Sequence, residues 1–239
     1  MVRFYGLRVL KDYLGHIILI GLPVVLITLM TAINKEATEI EDVKQMALYI
    51  GIIYIIMFQG FGAAYTFEGI EHDFFKPFRN RLRATPVHPM KFVLANIFSS
   101  ISISFLQSLV ILGYVVLFYG SVVNNIALVL LTLLIGVILA QFVAAISILS
   151  LKKASKAQAV ITVYIIIAMI IAGFFFPLPE NDVTVFLSKF SSPLAWTHYA
   201  VHGFMNKAYD EALLGLGLLS SLVMICGLVV YRLSRRVAI

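Results

Sequence analysis

Six long apolar runs divide the chain, and each is long enough to form a helix that crosses a lipid bilayer. The hydrocarbon layer of a bilayer is about 30 Å thick, and a helix of about 20 residues crosses it. The runs cover residues 14–33, 46–67, 92–119, 126–151, 157–176 and 212–231. We therefore predict an all-α membrane protein with six transmembrane helices.

The sequence between the runs leaves no room for a folded soluble domain. The longest connection, residues 177–211, has 35 residues, and residues 68–91 form the next longest. Only 13% of the residues are charged, which is about half of the share in a soluble protein. No internal repeat or Gly/Ser linker marks a boundary, so residues 1–239 are predicted to form a single transmembrane domain.

Basic residues collect on one side of the predicted membrane. The two termini and the second and fourth connections hold 14 of the 18 Lys and Arg residues but only four of the 12 acidic residues. The positive-inside rule therefore places both termini and residues 68–91 and 152–156 in the cytoplasm. This topology accounts for the net charge of +6, and it predicts no nucleic-acid partner.

Two segments outside the runs are too apolar to be free loops. Residues 3–13 mix aromatic, aliphatic and basic side chains, which is typical of a short helix at the membrane interface. Residues 177–211 carry large apolar side chains throughout, and Ser192 followed by Pro193 suits the start of a helix. We expect two short pieces there, which form a lid or re-enter the membrane.

The third run carries a polar stripe. Its members lie three or four positions apart and so share one helix face: Asn96, Ser99, Ser100, Ser104, Gln107 and Ser108. Because unpaired polar groups in lipid are costly, this face is expected to meet other helices or a wet path. Helix packing and a substrate-lining surface are the two interpretations.

Candidate chemistry inside the runs is sparse. They hold no charged residue beyond their ends and no nucleophile paired with a base, which argues against ion coupling and against an enzyme. His198 and His202 have a metal-compatible spacing, but no acidic residue matches it, so we assign no metal. Cys226 is the only cysteine, which excludes a disulfide or a cysteine-based metal site within one chain.

An acidic cluster ends the second run, and a basic stretch follows it. The acidic cluster is Glu68, Glu71, His72 and Asp73, and the basic residues are Lys76, Arg79, Arg81, Arg83 and Lys91. Opposite charges on a short loop favour a salt-bridged, structured surface over a simply solvated loop. The chain contains no Gly-x4-Gly-Lys-Ser/Thr motif, so any ATP-driven motor must be another polypeptide.

This loop resembles the membrane subunits of type-2 ATP-binding-cassette (ABC) exporters. The resemblance rests on Glu71, on RNRLRATPV at residues 79–87 and on MKFVLA at residues 90–95. The six-run layout, the Phe-Pro stop at residues 176–177 and SSPLAW at residues 191–196 extend it over nearly the whole chain. Two features depart from the family pattern: Glu71-His72 replaces an acidic-Arg pair, and FFKP replaces a Gly-Thr pair.

The resemblance implies the permease subunit of an ATP-driven exporter in a prokaryotic plasma membrane. Two subunits, either two copies or this chain and a sister permease, would form a path between them. Each would dock a separate ABC ATPase subunit, which binds ATP and Mg²⁺, so this chain would hold no cofactor of its own. Residues 68–91 would act as the coupling loop, with a smaller contact from residues 152–156.

Two sets of residues follow from the resemblance. The residues implied to contact the ATPase are Glu68, Glu71, His72, Arg79, Arg81, Arg83, Pro86, Lys152 and Lys153. The residues implied to line the path, on the second and fifth spans, are Tyr54, Gln59, Tyr65, Thr162, Tyr164, Phe174, Phe175 and Phe176. Such an apolar, aromatic lining suits drugs, peptides, lipids or polymer-linked lipids.

Two other kinds of protein fit parts of the sequence. One is a non-transporting membrane protein that anchors or assembles other proteins. The other is a channel or an ion-coupled carrier, against which the lack of buried charge argues. A channel conducts without ATP, and a carrier responds to an ion gradient, so reconstitution separates them from an ATP-driven permease.

Overall fold

The computed structural model describes residues 2–34, 40–77, 80, 85, 87–175, 178–179 and 181–237. These residues form helices and short connections, with no strand among them. The helices are α1 (Val2–Leu10), α2 (Tyr13–His16), α3 (Leu22–Asn34), α4 (Ile40–Phe61), α5 (Ala64–Phe74), α6 (Pro89–Tyr119), α7 (Ile126–Leu151), α8 (Ala154–Ile171), α9 (Asp182–Phe190), α10 (Pro193–Met205) and α11 (Tyr209–Val237). A π-helical turn, Ile17–Gly21, joins α2 to α3.

Six helical segments of the described chain are long and apolar enough to cross a membrane, which confirms the predicted fold class. In chain order, the first to sixth spans are Tyr13–Ile33, Val43–Phe74, Pro89–Tyr119, Ile126–Leu151, Ala154–Ile171 and Tyr209–Arg236. The second span extends beyond the apolar run that predicted it, because α5 continues to Phe74. The fifth ends at Ile171, whereas the run continues to residue 176, because the chain turns at Gly173, whose φ is 75°.

The second span lies at the centre of the bundle. Within its most apolar window 67% of the residues are buried, against 39% or less for every other span. It contributes to both main apolar clusters of the bundle. Phe67 and Ile70 belong to one cluster, and Ile52 and Ile55 belong to the other. Burial of aliphatic side chains of the neighbouring helices thus holds this span from both sides.

The second span is interrupted at Gly62 and Ala63, between α4 and α5. Short-range backbone bonds replace the α-helical pattern there: the Ala63 N–H donates to Gly60 O at 3.2 Å, and the Tyr65 N–H donates to Gly62 O at 3.3 Å. A Cβ on Gly62 would lie 2.8 Å from Ser104 Oγ. A glycine at this position therefore lets the third span pack closely against the interruption.

Helices α1 and α11 both pack on the first part of α6, at one end of the bundle, which we call the basic end. There the Ser99 hydroxyl donates to Val2 O at 3.1 Å, and the Ser234 hydroxyl donates to Met90 Sδ at 2.7 Å. The N-terminal residues form a helix, α1, as the sequence predicted. At the opposite end, the Ser121 hydroxyl donates to Lys44 O at 2.7 Å, which joins the connection after α6 to the beginning of α4.

Two short helices, α9 and α10, follow the fifth span, which confirms the two pieces predicted there. Ser192 caps α10 by accepting a hydrogen bond from the Ala195 N–H at 3.2 Å, and Pro193 occupies the first helical position. Asn181 and Thr184 form a reciprocal capping box at the start of α9. These caps satisfy N–H groups that have no partner within the helix.

Candidate functional site: a polar junction at the basic end and an apolar cavity

Helix α5 carries the acidic cluster that the sequence analysis placed on a loop. Glu68, Glu71, His72 and Asp73 all lie within Ala64–Phe74, so the predicted coupling loop begins with two helical turns. Glu68 is exposed, His72 is half-buried and Asp73 is buried. One helix therefore directs its acidic side chains to different surroundings.

Glu71 joins the second span to the fifth. Its Oε1 accepts a hydrogen bond from the Ala154 N–H at 2.9 Å, and its Oε2 lies 2.9 Å from Lys76 Nζ. Ala154 is the first residue of α8, where N–H groups lack helical partners and the helix dipole favours a negative charge. The carboxylate thus ties the beginning of the coupling loop to the turn that carries Lys152 and Lys153.

The turn beside Glu71 is short and exposed. Lys152 adopts a left-handed conformation with φ of 58° and ends α7, while Lys153 is extended and precedes α8. Both side chains are exposed. The structure therefore brings these two residues next to Glu71. Of the other residues implied to contact an ATPase, Arg79, Arg81, Arg83 and Pro86 lie outside the described residues.

Asp73 joins helix α1 to the second span. Its carboxylate accepts a hydrogen bond from the Tyr5 hydroxyl and lies 3.7 Å from Arg8 Nη1. His72 Nδ1 lies 3.1 Å from the same carboxylate, and the Asp73 side chain is only 3% exposed. Burial, and then the neighbouring Asp73, raise the pKa of the Tyr5 phenol above its ordinary range, so the hydroxyl stays protonated and donates. We call Tyr5, Arg8, Glu71, Asp73, Lys76 and Ala154 the basic-end junction.

A polar network around Gln141 fills the middle of the bundle. Thr66 donates to Gln141 Oε1 at 2.6 Å, and Gln141 Nε2 donates to Ser104 Oγ at 3.1 Å and to Gly62 O at 3.3 Å. Asn96 Nδ2 donates to Thr66 O at 3.3 Å. All of these side chains are buried, so the polar stripe of the third span packs against other helices.

A second polar group links α2 to the second and third spans through His16. Its Nε2 lies 3.0 Å from Val9 O, which only accepts, so the proton is assigned to Nε2. Its Nδ1 then accepts from the Tyr65 hydroxyl at 3.0 Å, and Gln107 Nε2 donates to the same hydroxyl at 3.0 Å. Tyr65, which the resemblance placed on the path, is therefore engaged in helix packing.

An apolar cavity of about 260 Å³ lies between the second, fourth and fifth spans and α10. Gln59 and Tyr164, both implied to line the path, are on its wall. The other path residues that the structure describes lie elsewhere. Thr162 accepts a hydrogen bond from Gln158 at 3.2 Å, Tyr54 packs on the apolar core, Phe175 is exposed, and Phe176 lies outside the described residues.

An aromatic cluster gathers at the opposite end. His198 of α10 lies edge-on to Phe174, with ring centroids 4.7 Å apart, and to Tyr49, with centroids 5.0 Å apart. Burial, and then the neighbouring His202, lower the pKa of His198 to about 3, which keeps the ring neutral. No group of three or more His, Cys, Asp or Glu side chains within the described chain is placed to hold a metal ion.

Sequence reasoning missed the partners of two residues. Asp73 was interpreted as one member of a charged loop, although its contacts are Tyr5 and Arg8, which precede it by more than 60 positions. Gln141 was passed over, yet it is the only amide side chain within the run 126–151. A lone amide in so apolar a run is a usable signal, because it must find hydrogen-bond partners on neighbouring helices.

The comparisons with known proteins agree with this architecture. A search of curated proteins finds no match. The chain matches the family model described as "ABC-2 family transporter protein" over residues 27–233, which includes all or part of every span. Six apolar spans and this match together show that the chain is a multi-pass membrane protein that belongs to the ABC-2 transporter family.

Proposed function

We propose that the chain is the permease subunit of an ATP-driven exporter and that a separate ABC ATPase drives it. Two such subunits form the translocation path between them, as a homodimer or with a sister permease, in a prokaryotic plasma membrane. The ATPase docks on the cytoplasmic coupling loop, residues 68–91, with a smaller contact at residues 152–156. ATP and Mg²⁺ bind to the partner, and this chain supplies the membrane path.

The contact between Glu71 and Ala154 is the observation that carries this proposal. It joins the two segments that are nominated to contact the ATPase, although they are 83 positions apart in the sequence. A partner that displaces either segment therefore pulls on both the second and the fifth spans. Both spans also line the apolar cavity, so movement at the basic end is expected to reach the candidate path.

The basic-end junction is suited to transmitting force because each of its acidic groups has a partner. Glu71 pairs with Lys76, and Asp73 pairs with Tyr5 and Arg8. Breaking the contacts of the buried Asp73 carboxylate costs more than moving them as a unit. Helix α5, helix α1 and the start of α8 are therefore expected to move together rather than separately.

A charge reversal tests the coupling. Replacing Arg79, Arg81 and Arg83 with Glu is expected to abolish transport while the chain still inserts in the membrane, because the docking surface changes sign. Reversing Lys189 and Lys207, which are predicted to lie on the other side, serves as the control and should leave transport intact. Unchanged transport in the triple variant would overturn the proposed coupling.

Reconstitution separates this proposal from the other two classes. The purified chain in liposomes should move no solute until an ABC ATPase and ATP are added. Solute flux by the chain alone would instead identify a channel, and flux that follows an ion gradient would identify a carrier. A chain that binds its ATPase but supports no ATP-dependent flux of any solute would identify an anchoring subunit.

A further inference from the structure

Glycines line the apolar cavity where its helices approach one another closely. Two glycines face it: a Cβ on Gly60 would lie 2.6 Å from Ile165 Cδ1, and a Cβ on Gly136 would lie 3.1 Å from Gln59 Oε1. Its volume is about 260 Å³. Because an apolar cavity of about 150 Å³ admits benzene, this one has space for a hydrocarbon group of roughly ten carbon atoms.

Gln59 presents an unused hydrogen-bond acceptor on the cavity wall. Its Nε2 donates to Leu133 O at 3.4 Å and to Ser108 Oγ at 3.1 Å. Leu133 O can only accept a hydrogen bond, and the Ser108 hydroxyl donates its proton to Ser104 O at 2.9 Å. The amide nitrogen of Gln59 must therefore face Leu133 O and Ser108 Oγ. The oxygen then points toward Gly136, and no residue of the described chain donates to it.

Two of the other polar side chains on the wall offer no proton to the cavity. The Ser147 hydroxyl donates to Val143 O at 2.9 Å, and the Thr197 hydroxyl donates to Pro193 O at 2.8 Å, each within its own helix. Gln59 is itself only 5% exposed. Its carbonyl oxygen is thus an unpaired acceptor in apolar surroundings, which gains more from a donor than an exposed group does.

We propose that this cavity binds an amphiphile with a hydrocarbon chain and a hydroxyl or amide N–H group that donates to Gln59 Oε1. A bilayer lipid and a transported compound share this chemistry. The proposal of a binding site depends only on the cavity and on Gln59. Its assignment to a transported compound rests on the proposed function.

Photolabelling of the purified full chain in nanodiscs tests the site without an ATPase. The probe is decanol with a diazirine in its chain, and the comparison probe is its methyl ether, which lacks the O–H donor. The alcohol is expected to label residues 136–147 and 160–165 roughly 3- to 10-fold more strongly than the ether, as one hydrogen bond predicts. Equal labelling by both probes, or labelling only elsewhere, overturns the proposal.

A matched pair of glycine variants tests the location. Gly136→Val fills the cavity beside Gln59 and should abolish the specific labelling. Gly217→Val makes the same change on the sixth span, where a Cβ would meet nothing within 4 Å, and should leave the labelling intact. Undiminished labelling of Gly136→Val overturns the site. If that variant does not fold, the positions labelled in the unaltered protein provide the test.

Adding the ATPase and ATP identifies the source of the ligand. Loss of the bound alcohol upon ATP hydrolysis assigns the site to a transported compound. A bound alcohol that ATP does not release assigns it to a bilayer lipid. Because the first labelling needs no ATPase, failure of the proposed coupling and failure of this site give different results.

Discussion

The Glu71 carboxylate accepts a hydrogen bond from the Ala154 N–H at 2.9 Å and so joins the end of the second span to the beginning of the fifth. The same carboxylate pairs with Lys76 at 2.9 Å. Its two oxygens therefore have different partners, one in the backbone of α8 and one in the loop that follows α5. Substitutions that separate these two contacts show which of them matters.

Removing the Glu71 side chain should destabilise the protein more than removing its ion-pair partner. A charge-assisted bond to a backbone N–H stabilises by about 1–2 kcal/mol at a site that is partly exposed, whereas the exposed pair with Lys76 contributes about 0.5 kcal/mol or less. Glu71→Ala should therefore lower the melting temperature in nanodiscs by several times the shift of Lys76→Gln. Equal shifts would show that the Ala154 bond carries no stability.

Removing the Tyr5 hydroxyl should loosen α1 from the bundle. Tyr5→Phe deletes the donor to the buried Asp73 carboxylate, and a hydrogen bond to a charged group contributes about 1.5–3 kcal/mol. Faster cleavage after Lys11 by trypsin would report the loosening. Tyr13→Phe is the control, because the Tyr13 ring is 68% exposed, and its cleavage rate should match that of the unaltered protein.

Replacing Gln141 should cost more than replacing an amide elsewhere in the spans. Gln141→Leu leaves the Thr66 hydroxyl without its acceptor and removes a donor from Ser104 Oγ and Gly62 O. Two or more lost bonds in a buried network correspond to about 2 kcal/mol. Gln158→Leu, which removes one bond to Thr162, is the control, and thermal unfolding should rank the two variants. The reverse order would contradict the central place of Gln141.

Acidification should destabilise the opposite end through His198. Its folded pKa of about 3 lies below the ordinary value of 6.5, so only the unfolded chain takes up a proton between these values. The contribution of neutral His198 to the free energy of unfolding is therefore fully present above pH 6.5 and is lost as the pH falls toward 3. The loss is about 1 kcal/mol at pH 5.5.

Melting temperatures at pH 7.5 and 5.5 check this prediction. His198→Phe should reduce the loss of stability on acidification, because the aromatic ring cannot be protonated. His202→Gln removes the exposed neighbour on the same helix and should retain most of the pH dependence. Identical pH dependence in the unaltered protein and in His198→Phe would contradict the lowered pKa.

The architecture was predictable from run lengths because a bilayer imposes one length on every helix that crosses it. The start of α10 was also predictable, since Ser192 and Pro193 act through neighbouring backbone groups. The pairing of Tyr5 with Asp73 was not, because it depends on how α1 folds back along the third span. The orientation of Gln59 likewise depends on Ser108 and Leu133, whose places only the assembled bundle sets.

The extension of the second span shows why charge is a poor boundary signal. Glu68, Glu71 and Asp73 led the sequence analysis to end the run at residue 67, yet α5 continues to Phe74. Local sequence cannot reveal that Asp73 will be paired with Arg8 or that Glu71 will cap another helix. Those tertiary partners offset the cost of the charges and let the helix continue.

The interruption at Gly62 gives the second span a place to flex. Gly62 O is bonded by the Tyr65 N–H and by Gln141 Nε2, each at 3.3 Å, which is longer than a strong hydrogen bond. Below this joint, the 11 residues of α5 form a lever arm of about 16 Å. A swing of roughly 10° there would shift the tip at Phe74 by about 3 Å while α4 stays still.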